Sequence, residues 1–260
     1  MRKSPLIFGI LSLILLLGWV GFSNRQTLRE AYKRSTQEPI PEAITYTTFT
    51  ATPATPPPVK TTPPVKTEPP APTQLNLKMP FVPQAPFKVW DAVHEDTCEE
   101  ASMVMMQAYL SGETSLTPAE MDRRLLELVD YQNTEYGDFK STDAKRVVEI
   151  MIKHLGIKRA RVLPLSSPRD IERELRAGRP VLLPASGKAL HNPNFKNGGP
   201  AYHMLVVKGF MPGKFITNDP GTRLGENYVY AESALFDAVH DWNGGDVMNG
   251  AKVMIVVEKL

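Results

Sequence analysis

Clustered prolines limit what this chain can fold into more than any other sequence feature. The 260-residue sequence has 24 prolines, and they are dense between Pro39 and Pro72, where they alternate mainly with Thr, Ala and Val. A segment of this composition cannot bury a hydrophobic core, so it predicts an extended, polyproline-like spacer. We therefore predict a disordered Pro/Thr-rich stalk over residues 38–75 and one domain of ordinary size over residues 76–260. At about 3.1 Å per residue, the stalk would reach on the order of 100 Å.

The N-terminus has the features of a membrane anchor. After two basic residues, no charge interrupts the run from Pro5 to about Phe22, which approaches the ~20 apolar residues that cross a bilayer. The run is longer than the ~7–15 apolar residues of a signal peptide, and it lacks a good cleavage site. We predict an uncleaved transmembrane anchor or signal over residues 1–23 and a polar juxtamembrane segment over residues 24–37.

The distribution of basic residues bears on where the domain lies. Arg2 and Lys3 favour a cytoplasmic N-terminus, whereas Arg25, Arg29 and further basic residues after the span weaken that argument. The sequence shows no second apolar span that would return the chain. We expect a single-pass protein of the cell membrane whose C-terminal domain is extracytoplasmic.

Charge and cysteine content exclude several classes of function. The net charge of +2 comes from an even mix of acids and bases, without a basic face interleaved with aromatic residues, so nucleic acid is not an expected partner. Cys98 is the only cysteine, which excludes an internal disulfide and a structural zinc site built on cysteines. No metal and no cofactor are implied.

Helical patterns precede strand patterns in the predicted domain. Helices are predicted over residues 98–109, 117–129, 142–155 and 167–177, with one more over 232–240. Strands are predicted over residues 180–184, 202–210, 214–217 and 252–257. This order is typical of an α+β fold in which N-terminal helices pack on an antiparallel sheet.

Three residues form a candidate catalytic set. Cys98 opens an amphipathic helix, where backbone N–H groups and the helix dipole favour a thiolate. His203 opens a predicted strand, and the next strand ends in Asn218 and Asp219. A hairpin between these strands would bring His203 and Asp219 side by side, with Asn218 as the competitor for orienting the imidazole.

The same residues carry a resemblance to a known family. Gln84, Cys98 at a helix start, the run Tyr-His-Met-Leu-Val-Val-Lys-Gly-Phe around His203, and Asn-Asp-Pro around Asp219 resemble the C39-like peptidases of the papain-like clan. The resemblance covers roughly residues 77–260 and implies a papain-like cysteine peptidase fold. It makes Cys98 the nucleophile, His203 the general base and Asp219 the orienting residue. It also makes the Gln84 side chain and the Cys98 backbone N–H the donors of an oxyanion hole.

Two features depart from the family pattern. Glu99 and Glu100 follow the cysteine where the family commonly has a small residue, and two carboxylates there would oppose a thiolate. Gln84 also lies farther from Cys98 than is typical, so residues 85–96 must loop out. His94 is a rival base close to Cys98 in sequence, while a zinc site from His94, Cys98 and a Glu lacks ligand spacing.

These features predict a thiol-dependent hydrolase that cuts peptide bonds or related amides in a peptide or protein substrate. The polar, Gly-rich segment 191–200 precedes His203 and is expected to border the cleft. Two alternatives stay open: a non-catalytic binding module on the same fold, which the two glutamates favour, and a cell-wall amidase of the NlpC/P60 type.

Overall fold

The computed structural model describes residues 24–45 and 72–258, which fall into two compact units, Met1–Pro39 and Ile40–Leu260. The predicted membrane anchor, residues 1–23, lies outside the described residues, and so does most of the predicted stalk, residues 46–71. Within the two described ranges, no helix has both the length and the apolar character that a membrane crossing requires.

In the first unit, the described residues form helix α1, Arg25–Ser35. The sequence predicted only a polar juxtamembrane segment here. Basic residues Lys33 and Arg34 occupy the last turn, where they interact favourably with the helix dipole.

The second unit contains five further helices and seven strands within the described residues. The helices are α2 (Cys98–Leu110), α3 (Pro118–Tyr136), α4 (Ala144–Lys153), α5 (Pro168–Arg176) and α6 (Glu232–Ala238). The strands are β1 (Leu75–Asn76), β2 (Ala160–Pro164), β3 (Val181–Ala185), β4 (His203–Met211), β5 (Lys214–Asn218), β6 (Tyr228–Ala231) and β7 (Val253–Val257).

These strands build one antiparallel sheet. Its order is β2-β7-β3-β4-β5-β6, and β1 pairs with the far end of β4. Gly209 allows β1 to pack closely against β4, because a Cβ atom at this position would lie 2.3 Å from the Leu75 carbonyl oxygen. Helices packed on an antiparallel sheet confirm the predicted α+β fold class.

Local sequence signals explain where the helices begin. The Thr117 side chain accepts a hydrogen bond from the Glu120 backbone N–H at 3.2 Å, with Pro118 at the first helical position. Asp143 caps α4 in the same way through the Arg146 N–H at 2.8 Å. Helix α3 ends at Gly137, whose φ of 78° suits glycine.

Helix α2 is the buried centre of the second unit. Eleven of its 13 residues are buried, and it packs against β4, α3 and α4. Burial on nearly all sides explains why the residues after Glu100 are mostly apolar on every face rather than along one stripe. The packing also brings the start of α2 to the start of β4, so the first residues of the two elements can share one site.

The short stretch of residues 41–45 also belongs to the second unit. Ile44 pairs in parallel with Leu77: its N–H donates to the Asn76 carbonyl, and its own carbonyl accepts from Lys78 N–H, both at 2.8 Å. The Asn76 side chain donates to the Pro41 carbonyl at 2.9 Å. Residues 41–45 and Leu75, which the sequence assigned to the stalk, therefore lie on the folded unit.

Candidate active site

Cys98 is the first residue of α2, as the sequence predicted, and only 6% of its surface is exposed. The side chain of Thr97, just before it, does not cap the helix but donates to the Gln84 carbonyl at 3.3 Å. The Met204 backbone N–H points at the sulfur and favours its charged form. Sγ therefore lies against the first residues of β4, with helix and strand N–H groups available to it.

Other neighbours of the sulfur oppose the thiolate. Burial, followed by the charge of Glu99, raises the pKa of the Cys98 thiol well above its usual value. The thiol donates a hydrogen bond to Glu99 Oε2, with Sγ and Oε2 2.8 Å apart. The helix N-terminus was expected to favour a thiolate, but in this structure burial and the adjacent carboxyl group outweigh it.

The two glutamates after the cysteine are both buried, with 1% and 0% of their surfaces exposed. Glu99 Oε1 accepts the Thr142 backbone N–H at 2.9 Å, while Glu100 Oε1 accepts from the Gln132 side chain. Thr142 closes the network by donating its hydroxyl hydrogen to Gln132 Oε1 at 2.9 Å. Burial raises the pKa of Glu99, and burial together with the charge of Glu99 raises that of Glu100.

His203 and Asp219 form a buried pair, as the predicted hairpin requires. His203 Nε2 donates to Asp219 Oδ1 at 2.8 Å, and neither side chain has any exposed surface. The other ring nitrogen, Nδ1, has no hydrogen-bond partner among the described residues. Asn218 turns away and donates its side-chain N–H to the Pro80 carbonyl at 3.1 Å. The residue that contacts His203 is therefore Asp219 and not Asn218.

The sequence did not point to two further residues that hold Asp219. Tyr230, on β6, donates its hydroxyl hydrogen to Asp219 Oδ2 at 2.6 Å. Asn192, in the loop after β3, donates to the same oxygen at 3.1 Å and contacts the Tyr230 hydroxyl oxygen at 2.7 Å. A tyrosine in a strand and an asparagine in a loop are too common to signal this role without the fold.

The loop of residues 186–200 covers the pair. The Phe195 ring meets the His203 ring edge-on, with centroids 5.2 Å apart. Gly221 makes the close packing possible, because a Cβ atom there would lie 2.8 Å from His203 Cε1 and 2.9 Å from Phe195. On the outer face of the loop, Lys196 forms an exposed ion pair with Glu95 at 3.0 Å. The segment predicted to border the cleft thus closes over the imidazole.

Gln84 lies beside the site but does not offer a free donor. Its backbone N–H donates to the Pro220 carbonyl at 3.0 Å, which fixes it near Asp219. Its side-chain nitrogen donates to the carbonyls of His94 and Glu95 at 3.2 and 3.1 Å. Both amide hydrogens are therefore used, and an oxyanion could be bound only after the side chain rotates.

His94 is occupied by carboxylates of its own. Its two ring nitrogens lie 2.9 Å from Asp91 and 3.0 Å from Asp122. These contacts tie the looped segment 85–96 to α3 and leave neither nitrogen facing Cys98. Within the described ranges, no group of three or more His, Cys, Asp or Glu residues is arranged to hold a metal ion.

A cavity of about 330 Å³ lies elsewhere in the unit, between α2, α3 and the end of α4. Its lining includes Gln107, Arg124, Glu127 and His154 and none of the four predicted site residues. This cavity is therefore separate from the predicted site.

A cysteine at the start of a buried helix, beside a His–Asp pair on an antiparallel sheet, is the arrangement of the papain-like class. The chain belongs to the Peptidase C39-like family, whose sequence profile matches residues 76–244. Among solved structures, it is similar to a Bacillus anthracis protein described as a C39-like peptidase. That likeness has 16% identity and a TM-score of 0.47, over 72% of this chain and 98% of the other. No curated protein sequence matches the chain.

Proposed function

We propose that this protein is a membrane-anchored, thiol-dependent peptidase or amide hydrolase that acts outside the cytoplasmic membrane. Cys98, His203 and Asp219 would be its catalytic residues. The observation that carries the proposal is the buried His203–Asp219 pair, whose second imidazole nitrogen has no partner among the described residues. Membership of the peptidase family adds a peptide or protein as the substrate class.

The geometry supports a specific division of roles. Because Nε2 donates to Asp219, neutral His203 keeps its lone pair on Nδ1, the nitrogen that can accept the Cys98 proton. Sγ then attacks the carbonyl carbon, and the developing oxyanion is stabilised by the Cys98 backbone N–H at the start of α2. His203 returns the proton to the leaving amine. Water, deprotonated by the same nitrogen, hydrolyses the thioester and restores the thiol.

The described state is closed, so catalysis requires a rearrangement. A carbonyl carbon cannot reach a sulfur that is 6% exposed, and Phe195 covers the edge of His203. Displacement of loop 186–200 would uncover both groups. The same movement could release Gln84 from the carbonyls of His94 and Glu95, since these residues lie next to the Lys196–Glu95 ion pair.

Hydrolysis by matched variants tests the proposal. The full chain, purified in detergent, is incubated with denatured proteins, and mass spectrometry counts the new peptide N-termini. We expect cleavage by the wild type, none by C98A or H203A, and a reduced rate for D219N. H94A is the matched control, because its ring is bound to Asp91 and Asp122. Cleavage that persists in C98A would refute the mechanism.

A non-catalytic binding module is the second candidate, and one observation favours it. The Cys98 thiol donates to Glu99 and has a raised pKa, so the sulfur is not an activated nucleophile in this closed state. The two functions predict different rates of Cys98 alkylation once a substrate-like peptide has opened loop 186–200. A peptidase should become more reactive, whereas a binding module should be protected by its bound ligand.

The location of the domain is tested separately. The predicted anchor and its orientation imply that protease added to intact spheroplasts degrades the domain. A cytoplasmic protein in the same cells serves as the control for intactness. Full protection of the domain beside a protected control would contradict the extracytoplasmic location.

A further inference from the structure

Glu99 contacts the reacting sulfur itself. Its Oε2 atom lies 2.8 Å from Cys98 Sγ, and its Oε1 atom accepts the Thr142 N–H at 2.9 Å. With 1% of its surface exposed, the carboxyl group has no bulk water to turn towards. The contact is therefore a fixed part of the site, held from the segment just before α4.

The ionisable groups around Glu99 include one that can be positive and several that can be negative. Cys98 and Glu100 face it from α2, and Tyr202 and His203 face it from β4. Asp241 joins this cluster through a 3.3 Å contact with the Tyr202 hydroxyl group. Of these groups only His203 can be positive. Its Nε2 side faces Asp219, and on the Cys98 side its charge can be balanced further by a thiolate at Cys98 or by a carboxylate at Glu99.

A thiolate at Cys98 and a carboxylate at Glu99, 2.8 Å apart in a buried site, would repel each other strongly, so only one of them is charged at a time. Burial raises the pKa of Glu99, while the hydrogen bond from Cys98 acts in the opposite direction. Conversely, after burial itself, the charge of Glu99 is the main reason why the pKa of the Cys98 thiol is raised. Each group thus disfavours ionisation of the other.

We propose that Glu99 is a brake on the nucleophile: its carboxylate accepts the Cys98 S–H and balances His203, and sulfur becomes reactive only when Glu99 holds the proton. In the release step the S–H bond breaks, an O–H bond forms on Oε2, and the negative charge moves from oxygen to sulfur. The result is a thiolate beside protonated His203 and a neutral Glu99, which is the same ion pair that forms when neutral His203 takes the Cys98 proton while Glu99 is protonated, and no proton is taken from solvent. This inference rests on the proposed function in that Cys98 is taken to be the nucleophile.

Alkylation of the full chain by iodoacetamide measures the brake directly, because Cys98 is the only cysteine. In E99Q the neighbour can no longer carry the charge, so the Cys98 proton passes to His203, and the thiolate faces an imidazolium whose other nitrogen stays bound to Asp219. We expect the midpoint of the pH–rate profile to fall by at least about one unit, with alkylation at pH 7 roughly tenfold faster. E100Q is the matched control: it neutralises the adjacent buried carboxyl group, which contacts Gln132 and not Sγ, and should change the rate less than about threefold.

A folded E99Q variant that reacts no faster than the wild type would overturn the brake, and a slower one would make Glu99 an activating base instead. If E99Q does not fold, C98A provides an independent measurement. Removing the S–H donor should raise the midpoint at which the protonated-carboxyl infrared band appears, and an unchanged midpoint also overturns the proposal.

The outcomes separate the brake from the proposed function. Faster alkylation of E99Q in a protein that cleaves no peptide would support the brake and refute the peptidase. Cleavage through Cys98 with no effect of E99Q on alkylation would support the peptidase and refute the brake.

Discussion

At the scale of single residues, the buried Asp219 carboxylate stays ionised because of its neighbours. Burial alone would raise its pKa, but the charge of His203 and hydrogen bonds from His203, Tyr230 and the Gly221 backbone N–H outweigh burial, and the pKa is lowered. A carboxylate in this state can orient an imidazole that becomes positive during the reaction. Tyr230 matters most among the uncharged donors because its contact is the shortest, at 2.6 Å.

Removing the Tyr230 hydroxyl group should therefore weaken both the fold and the His203–Asp219 pair. A hydrogen bond to a buried charge contributes about 2 kcal/mol, so we expect Y230F to lose about that much unfolding free energy at pH 7. The loss should shrink as the pH falls through the lowered pKa of Asp219, where the wild-type carboxylate is also protonated. Urea unfolding at several pH values measures this. Y228F is the control, since Asp219 Oδ2 accepts from Tyr230 and Asn192 rather than from Tyr228.

The residues that the sequence could indicate are those with rare chemistry or fixed spacing. Cys98 is the only cysteine and lies at a helix start, and His203 precedes an Asp-Pro pair by the length of two strands. These features are enough to indicate Cys98, His203 and Asp219 as candidate site residues. Asn192 and Tyr230 reach Asp219 from 27 and 11 residues away, and only the finished sheet brings them together. The Glu99 carboxyl group was expected to oppose a thiolate, but its contact with Sγ depends on the burial of α2.

At the scale of elements, loop 186–200 controls access to the site. Phe195 is 9% exposed and packs on the edge of His203, so F195A should remove most of the cover over the imidazole. We expect alkylation of Cys98 to become at least about threefold faster, because the local opening that exposes sulfur becomes less costly. K196A, in the same loop, removes only the exposed pair with Glu95 and should change the rate by about twofold or less. Equal rates for F195A and the wild type would show that another element covers the cysteine.

The β1–β4 contact contains a buried lysine. Lys208 sits at the bulge in β4 and donates to Asn76 Oδ1 at 2.6 Å and to the Leu77 carbonyl at 3.1 Å. Burial lowers the pKa of Lys208 to about 8. Below that pH the amine is charged in both the folded and the unfolded chain, and folding carries the full cost of burying the charge.

Raising the pH should relieve that cost. Between about pH 8 and pH 10.5 the folded protein has released the Lys208 proton while the unfolded chain still holds it, so stability rises with pH. Relative to K208M, the wild type should gain up to about 3 kcal/mol of unfolding free energy over this window. K78M removes an exposed lysine near β1 and should follow the wild-type profile. A constant difference between wild type and K208M across the window would contradict the buried charge.

The element boundaries show what periodicity can and cannot predict. Helices with caps and strands rich in β-branched residues were found to within a few residues. Helix α3 runs on to Tyr136 because its polar last turns need no core, and the helix ends only at Gly137. Strands β1, β2 and β6 were not predicted. In β2, Ala160–Pro164, only the first residue is buried, and its partners come from β7, almost a hundred residues later.

At the scale of the whole molecule, the contact between Ile44 and Leu77 changes what the proline-rich segment can do. Both ends of segment 46–71 are attached to the second unit, one through Ile44 and the other through β1. Residues 38–75 were predicted to be a spacer, and the contacts of Ile44 and β1 with one unit mean that they cannot act as a spacer along their full length.

Loop closure makes this difference measurable. Replacing residues 46–71 with a Gly/Ser linker of about ten residues shortens the chain between two points attached to the same unit, and each halving of that length is worth about 0.6 kcal/mol. The folded unit should therefore gain about 0.8 kcal/mol in urea unfolding. The gain should vanish in an I44D background, because the aspartate frees the upstream end of the loop from Leu77. If the replacement leaves stability unchanged with Ile44 intact, the contact between Ile44 and Leu77 does not hold residue 44 on the second unit.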